Sequence, residues 1–109
     1  MIDDTEVIKF VDLINNITKR PGMYLVNRVE DFELVFLGYE LALKNMHLTA
    51  LINGFKLHVN KWSEFKIESS WAKLIRFYSS TDLHSIELFS KLFKEYIDDL
   101  SNNQSNFSI

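Results

Sequence analysis

Glycine and proline are scarce in this chain, with three Gly and one Pro among 109 residues. Proteins built from strands and tight turns need both residues at their many reversals, whereas the interiors of long helices exclude them. The shortage therefore favours long helices and few connections. The length is that of one domain, so we expect an all-α bundle of about five helices over residues 1–100, followed by a disordered polar tail, 101–109.

Apolar residues recur at intervals of three and four, which places them on one face of a helix. These repeats predict helices over about 4–18, 30–45, 71–78 and 81–100, with Ser69 or Ser70 and Thr81 or Asp82 as N-caps. Residues 49–62 fit either a helix or a strand, and we favour a helix from about Asn53. The expected core includes Phe32, Phe36, Trp71, Phe89 and Phe93.

The second predicted helix is apolar on more than one side. Its main stripe consists of Phe32, Val35, Phe36, Tyr39 and Leu43. Leu34, Leu37 and Leu41 broaden that stripe, so we expect a central helix that is buried on two sides. Gly38 lies mid-helix, where Gly is about 1 kcal/mol less favourable than Ala, and a close helix crossing would explain it.

The composition excludes several kinds of function. The net charge is −3, whereas a general nucleic-acid binder usually carries a basic excess. The basic residues between 56 and 76 alternate with aromatics, but Glu64 and Glu68 dilute them, so a solvated helical face is the favoured interpretation. There is no Cys, which rules out disulfides and thiol nucleophiles. His47, His58 and His84 lack metal-ligand spacing, and the chain has neither a G-x-S-x-G turn nor a glycine-rich phosphate loop. We therefore expect no metal, cofactor or enzymatic activity.

The location of the protein follows from two further features. The first residues, Met1-Ile2-Asp3-Asp4, are acidic and lack the apolar segment of a signal peptide. No apolar run approaches the roughly 20 residues that span a bilayer. We therefore expect a cytoplasmic protein that does not enter a membrane.

Carboxylates cluster where two helices are predicted to begin. The candidates for a binding surface are Asp3, Asp4, Glu6, Glu30, Asp31 and Glu33. Capping and the helix dipole explain acidic residues at these places, and contact with a partner protein is the alternative.

Two stretches carry a resemblance to a known family. The first is Lys19-Arg20-Pro21-Gly22-Met23-Tyr24-Leu25, followed by Phe36-Leu37-Gly38-Tyr39. The second runs from Phe55 through Trp71-Ala72-Lys73-Leu74-Ile75 to the 86–96 segment that ends in Glu95-Tyr96. Together they resemble small bacterial immunity proteins of polymorphic toxin systems, including contact-dependent growth inhibition. The chain departs from that pattern at Val26, where the family favours Gly.

The resemblance implies a helical, non-enzymatic protein that binds one cognate toxin domain, often a nuclease, and blocks it. The alternative is a helical adaptor or regulatory protein with another protein partner. A second similarity, of the Arg-Pro-Gly-Met-Tyr segment to gyrase B and topoisomerase ATPases, is confined to that segment, because the Asn-bearing helix and the Asp-x-Gly-x-Gly pattern of those enzymes are missing. We expect Met23 and Tyr24 to cover the core between the first two helices.

Overall fold

The computed structural model describes residues 4–64 and 70–107, with side chains through residue 102. It contains five α-helices: α1 (Thr5–Lys19), α2 (Val29–Leu43), α3 (Met46–Trp62), α4 (Trp71–Phe77) and α5 (Asp82–Phe107). A 3-10 turn, Pro21–Tyr24, connects α1 to α2. No strand occurs within the described ranges, so the predicted all-α class and the number of helices are confirmed.

Polar side chains mark where the helices begin. Ser70 caps α4 by accepting a hydrogen bond from the Lys73 amide at 3.2 Å, and the Thr81 hydroxyl accepts from the His84 amide at 3.0 Å as α5 begins. Each is one of the two residues predicted for its cap. The predicted start of α3 near Asn53 was wrong, because Asn45 caps this helix and starts it at Met46.

One side chain from α5 completes the start of α2. The Ser85 hydroxyl accepts a hydrogen bond from the Val29 amide at 3.1 Å and donates one to the Asp82 carbonyl at 2.6 Å. Both Ser85 and Val29 are fully buried. A buried amide at a helix start needs a partner, and here the partner lies 56 residues away along the chain.

The core is a cluster of aromatic rings to which every α-helix contributes. Phe36 of α2 lies at its centre, with ring centroids 5.0 to 6.2 Å from its neighbours. These neighbours are Phe10, Phe55, Trp71, Phe89 and Phe93. Phe32 stacks on Phe89 at 4.1 Å. The predicted aromatic core is confirmed, and its edge-to-face and offset contacts are the arrangements that aromatic pairs prefer.

The last helix extends beyond its predicted end at Leu100. α5 continues through Phe107, into the stretch predicted to be a disordered tail. Asn and Ser are only modestly unfavourable in a helix, and adding residues to an existing helix is far easier than starting one. The division into a domain over 1–100 and a disordered tail over 101–109 stays a prediction.

Candidate protein-binding surfaces

The carboxylates at the start of α1 take part in a small hydrogen-bond network. Asp4 accepts from the amides of Glu6 at 2.9 Å and Val7 at 3.3 Å, which caps the helix. The Asn45 side-chain amide donates to Asp4 at 3.3 Å and to Glu6 at 3.0 Å. This hydrogen bond from Asn45, more than those from the backbone, lowers the pKa of Asp4 below its ordinary value. The predicted candidate Asp3 lies outside the described residues.

The carboxylates at the start of α2 are also engaged within the chain. Glu30 accepts two hydrogen bonds from the Arg76 guanidinium, at 3.1 and 2.9 Å, and these bonds lower the pKa of Glu30. Arg76 also donates to Asp82 at 2.7 Å, so one guanidinium ties α4 to the beginnings of α2 and α5. Asp31 accepts from the backbone amides of Asn27 and Arg28 just before the helix.

The structure does not bring the predicted acidic residues together into one patch. Asp4 and Glu6 contact Asn45, which follows α2, whereas Glu30 and Asp31 lie in its first turn. The 15 residues of α2 span about 22 Å, so the two groups lie near opposite ends of that helix. The capping interpretation is confirmed for Asp4 and Asp31, and toxin contact by these carboxylates stays a prediction.

Glu33 stands apart from the other candidates, at the side of an open cleft between α2, α3 and α4. The cleft has a volume of about 530 Å³. Its charged and polar lining consists of Glu33, Glu40, Lys56, Asn60 and Ser70. Side chains of both signs make this cleft mixed in charge, so Glu33 does not belong to a purely acidic surface.

The turn between α1 and α2 contradicts the prediction that its apolar residues cover the core. Met23 is 70% exposed, Tyr24 42% and Leu25 84%. Val26, which occupies the position where the resembled family favours Gly, is buried and takes the place in the core instead. None of the four residues of the 3-10 turn is buried, and the chain returns to the interior only at Val26, two residues after the turn ends.

The exposed turn has a fixed backbone. The amides of Met23, Leu25 and Val26 donate to the carbonyls of Arg20, Gly22 and Pro21, respectively. Leu25 has φ of 59°, a left-handed conformation that non-glycine residues adopt at a cost of about 1–2 kcal/mol. Strain of this kind is concentrated at functional sites. The turn thus holds three apolar side chains in solvent on a rigid base.

The outer face of α2 contradicts the prediction that this helix is buried on two sides. Leu34 is 70% exposed, Leu37 51% and Leu41 65%. A Cβ added at Gly38 would meet no atom within 4 Å, so none of the helices that the structure describes crosses there. The other helices pack on the face of α2 that carries Phe32 and Phe36, which leaves the opposite face apolar and uncovered.

Sequence reasoning identified these apolar residues but assigned them to the core. The signal that could have corrected it is the small size of the domain. A helix that is apolar nearly all round needs cover on every side, and a domain of this length has few helices with which to supply it. Such a helix therefore exposes one apolar face unless a partner covers it.

Other kinds of site have little support among the described residues. Within 4–64 and 70–107, no group of three or more His, Asp or Glu side chains is placed to hold a metal ion. None of the helices described is both long enough and apolar enough to cross a membrane. No protein-family model, curated protein sequence or solved structure matches this chain.

Proposed function

We propose that this protein binds a cognate toxin domain and neutralises it by stoichiometric inhibition, without turnover, in the cytoplasm of a bacterial cell. The observation that carries the proposal is the exposed turn Pro21–Tyr24 with the adjoining Leu25. This turn belongs to the segment on which the resemblance to immunity proteins rests. Its Met and Tyr side chains lie in solvent, where a partner can reach them, and not in the core.

The turn has the properties of a preformed contact surface. Its backbone hydrogen bonds and Pro21 fix the conformation before any partner arrives, so binding does not have to order the loop. Tyr and Met are enriched at protein interfaces, and apolar anchors of this kind supply most of the binding energy at hot spots. Binding through Met23, Tyr24 and Leu25 would also remove these three apolar side chains from water.

Charge supports a nuclease as the class of toxin. A nuclease holds its substrate in a basic groove, and this chain has a net charge of −3. Two carboxylates, Glu30 and Asp31, follow the 3-10 turn in the sequence and lie at the beginning of α2. They lie close in sequence to the exposed Leu25. Lys19, Arg20 and Arg28 flank the same turn, so attraction to a basic groove would come from the net charge of the whole chain and not from a local acidic patch.

The test is a titration of the toxin domain encoded directly upstream of this gene, with its activity followed as purified protein is added. Activity should fall linearly to zero at about one equivalent, with a dissociation constant of about 1 nM or lower. Loss of activity at substoichiometric amounts that progresses with time would instead mean catalysis, and would refute the proposal.

A matched pair of variants tests whether the turn makes the contact. The double variant Met23→Ser, Tyr24→Ser should weaken inhibition by about a hundredfold or more, because hot-spot truncations each cost about 2 kcal/mol or more. Leu57→Ser on α3 removes a leucine that is 63% exposed and should leave inhibition unchanged. Equal inhibition by both variants would exclude the turn as the contact surface.

A further inference from the structure

Three cations flank the 21–25 turn, which is the 3-10 turn together with Leu25. Lys19 and Arg20 precede the turn, and Arg28 follows it by three residues. All three are exposed. Among the residues that the structure describes, no carboxylate oxygen lies within 4.0 Å of any of these cations. Their charges are therefore available to a partner.

The carboxylates near the turn are engaged elsewhere. Glu30 accepts two hydrogen bonds from the Arg76 guanidinium of α4, and Asp31 accepts from the two backbone amides that precede α2. On the side of α5, Lys94 and Asp98 border the end of α1 and carry opposite charges. The unpaired charge at the turn is thus positive, in a chain whose net charge is −3.

Two of the cations lie beside the apolar side chains themselves. Lys19 and Arg20 line a small hollow of about 190 Å³ together with Asn16, Met23 and Tyr24. The Arg20 Nη1 atom lies 4.0 Å from the Met23 sulfur. A partner that buries Met23 therefore also removes water from the Arg20 guanidinium. A cation that loses water in this way needs an anion to pair with.

We propose that the toxin surface that receives the 21–25 turn is an apolar pocket bordered by carboxylates, with Met23 and Leu25 inside the pocket and Arg20 paired with a carboxylate at its edge. This inference rests on the proposed function and names the chemistry of the surface that the turn contacts. A guanidinium suits the edge, because it pairs with a carboxylate through two parallel hydrogen bonds and is more weakly hydrated than an ammonium. The basic substrate groove of a nuclease would repel the three cations, so the turn contacts the toxin outside that groove.

A protein pocket fits the turn better than a membrane surface does. Lipid-binding segments concentrate about four to eight basic residues, whereas three flank this turn. An anionic bilayer would also repel a chain with a net charge of −3. A pocket rewards the fixed backbone of the turn, since shape complementarity depends on preformed geometry.

Association kinetics with the purified toxin domain test the pairing through two charge reversals that change the net charge equally. Arg20→Glu places a carboxylate beside Met23. Lys73→Glu places one at an exposed position of α4, which among the described elements has no contact with the turn. At about 20 mM salt, Arg20→Glu should associate about tenfold more slowly than the unsubstituted protein and depend less on salt. Lys73→Glu should associate as fast as the unsubstituted protein or faster.

The conservative variant Arg20→Lys separates the charge from the paired hydrogen bonds. It keeps the cation, so it should associate at close to the unsubstituted rate. It loses the two parallel hydrogen bonds, so the complex should dissociate about tenfold faster. Arg20 is exposed, so the melting temperature should be unchanged in both Arg20 variants. A fall in melting temperature that accounts for the weaker binding would instead assign Arg20 to the fold.

Three results would overturn the inference while inhibition by the unsubstituted protein at one equivalent upholds the proposed function. The first is association of Arg20→Glu at an unchanged or higher rate, and the second is equal slowing by both reversals. The third is binding of the unsubstituted protein to phosphatidylglycerol vesicles that Arg20→Glu abolishes, which would assign the turn to lipid. An unsubstituted protein that does not inhibit the toxin would refute the proposed function and the inference together.

Discussion

The Tyr96 hydroxyl donates a hydrogen bond to the Leu51 carbonyl at 2.6 Å, which joins α5 to the backbone of α3. Gly54 follows Leu51 by three residues in α3 and has no side chain to block the ring. Tyr96 can therefore come this close to the backbone of α3. Of the two helical glycines, Gly54 therefore permits a close helix approach inside the chain, and Gly38 faces open space.

The two glycines should respond oppositely to the same substitution. A Cβ at position 54 would overlap the Tyr96 hydroxyl, so Gly54→Ala should lower the free energy of unfolding by about 1–3 kcal/mol. Gly38→Ala meets no atom and should raise it by about 1 kcal/mol. Urea denaturation at low micromolar concentration measures both. Adding Tyr96→Phe should recover part of the loss at position 54, and no recovery would exclude the overlap as its cause.

Burial of Tyr96 should make the protein sensitive to high pH. Burial raises the pKa of its hydroxyl from 10.0 to about 12. The fold thus favours the neutral hydroxyl. The contribution of Tyr96 to the free energy of unfolding is complete below pH 10 and is lost as the pH rises toward 12. The free energy of unfolding should fall by about 1.4 kcal/mol per pH unit across this range from Tyr96 alone. Denaturation from pH 9 to 11.5 should show a shallower decline for Tyr96→Phe, and equal slopes would contradict the assignment.

Removal of Arg76 should weaken the junction of α2, α4 and α5. Its guanidinium is partly exposed, so Arg76→Gln should lower the free energy of unfolding by about 1 kcal/mol at pH 7. The hydrogen bonds lower the pKa of Glu30, so this contribution is present above the ordinary carboxyl pKa of 4.5 and is lost as the pH falls below it. The difference from the unsubstituted protein should therefore shrink in acid. Lys73→Gln, an exposed change on the same helix, should show no such pH dependence.

Relief of strain at Leu25 should separate stability from binding. Asn tolerates the left-handed conformation better than Leu, and the Leu25 side chain is 84% exposed, so its removal leaves no cavity. Leu25→Asn should raise the free energy of unfolding by up to about 1 kcal/mol and weaken toxin inhibition. Thermal melts and the toxin titration would be run on the same preparation. A variant that is less stable and still fully inhibitory would show that Leu25 serves the fold.

Most of the fold could be predicted because one physical signal, the apolar repeat of three and four, occurs along most of the chain. The start of α3 was missed because the alternation of Phe55, Leu57 and Val59 imitates a strand, and because the capping role of Asn45 was not recognised. The caps of α4 and α5 were each narrowed to two neighbouring residues that included Ser70 and Thr81, since a hydroxyl before an apolar repeat is a local signal.

The candidate surfaces could be found in the sequence but not interpreted from it. Periodicity shows that Leu34 and Leu41 share a face of α2. It does not show whether another helix covers that face. The same holds for Met23 and Tyr24, whose exposure depends on how the 3-10 turn directs them. Glu30 was considered as a surface group, and its pairing with Arg76 depends on a contact across 46 positions that no local pattern encodes.

The hydrogen bond from the Val29 amide to Ser85 provides a reporter of how firmly α5 is held. This amide lies at the N-terminus of α2, where no carbonyl of the helix itself can protect it. It exchanges its proton with solvent only when the start of α2 and α5 separate. The exchange rate of this single amide, read by NMR, would therefore give the free energy of local opening of the junction between α2 and α5 separately from global unfolding.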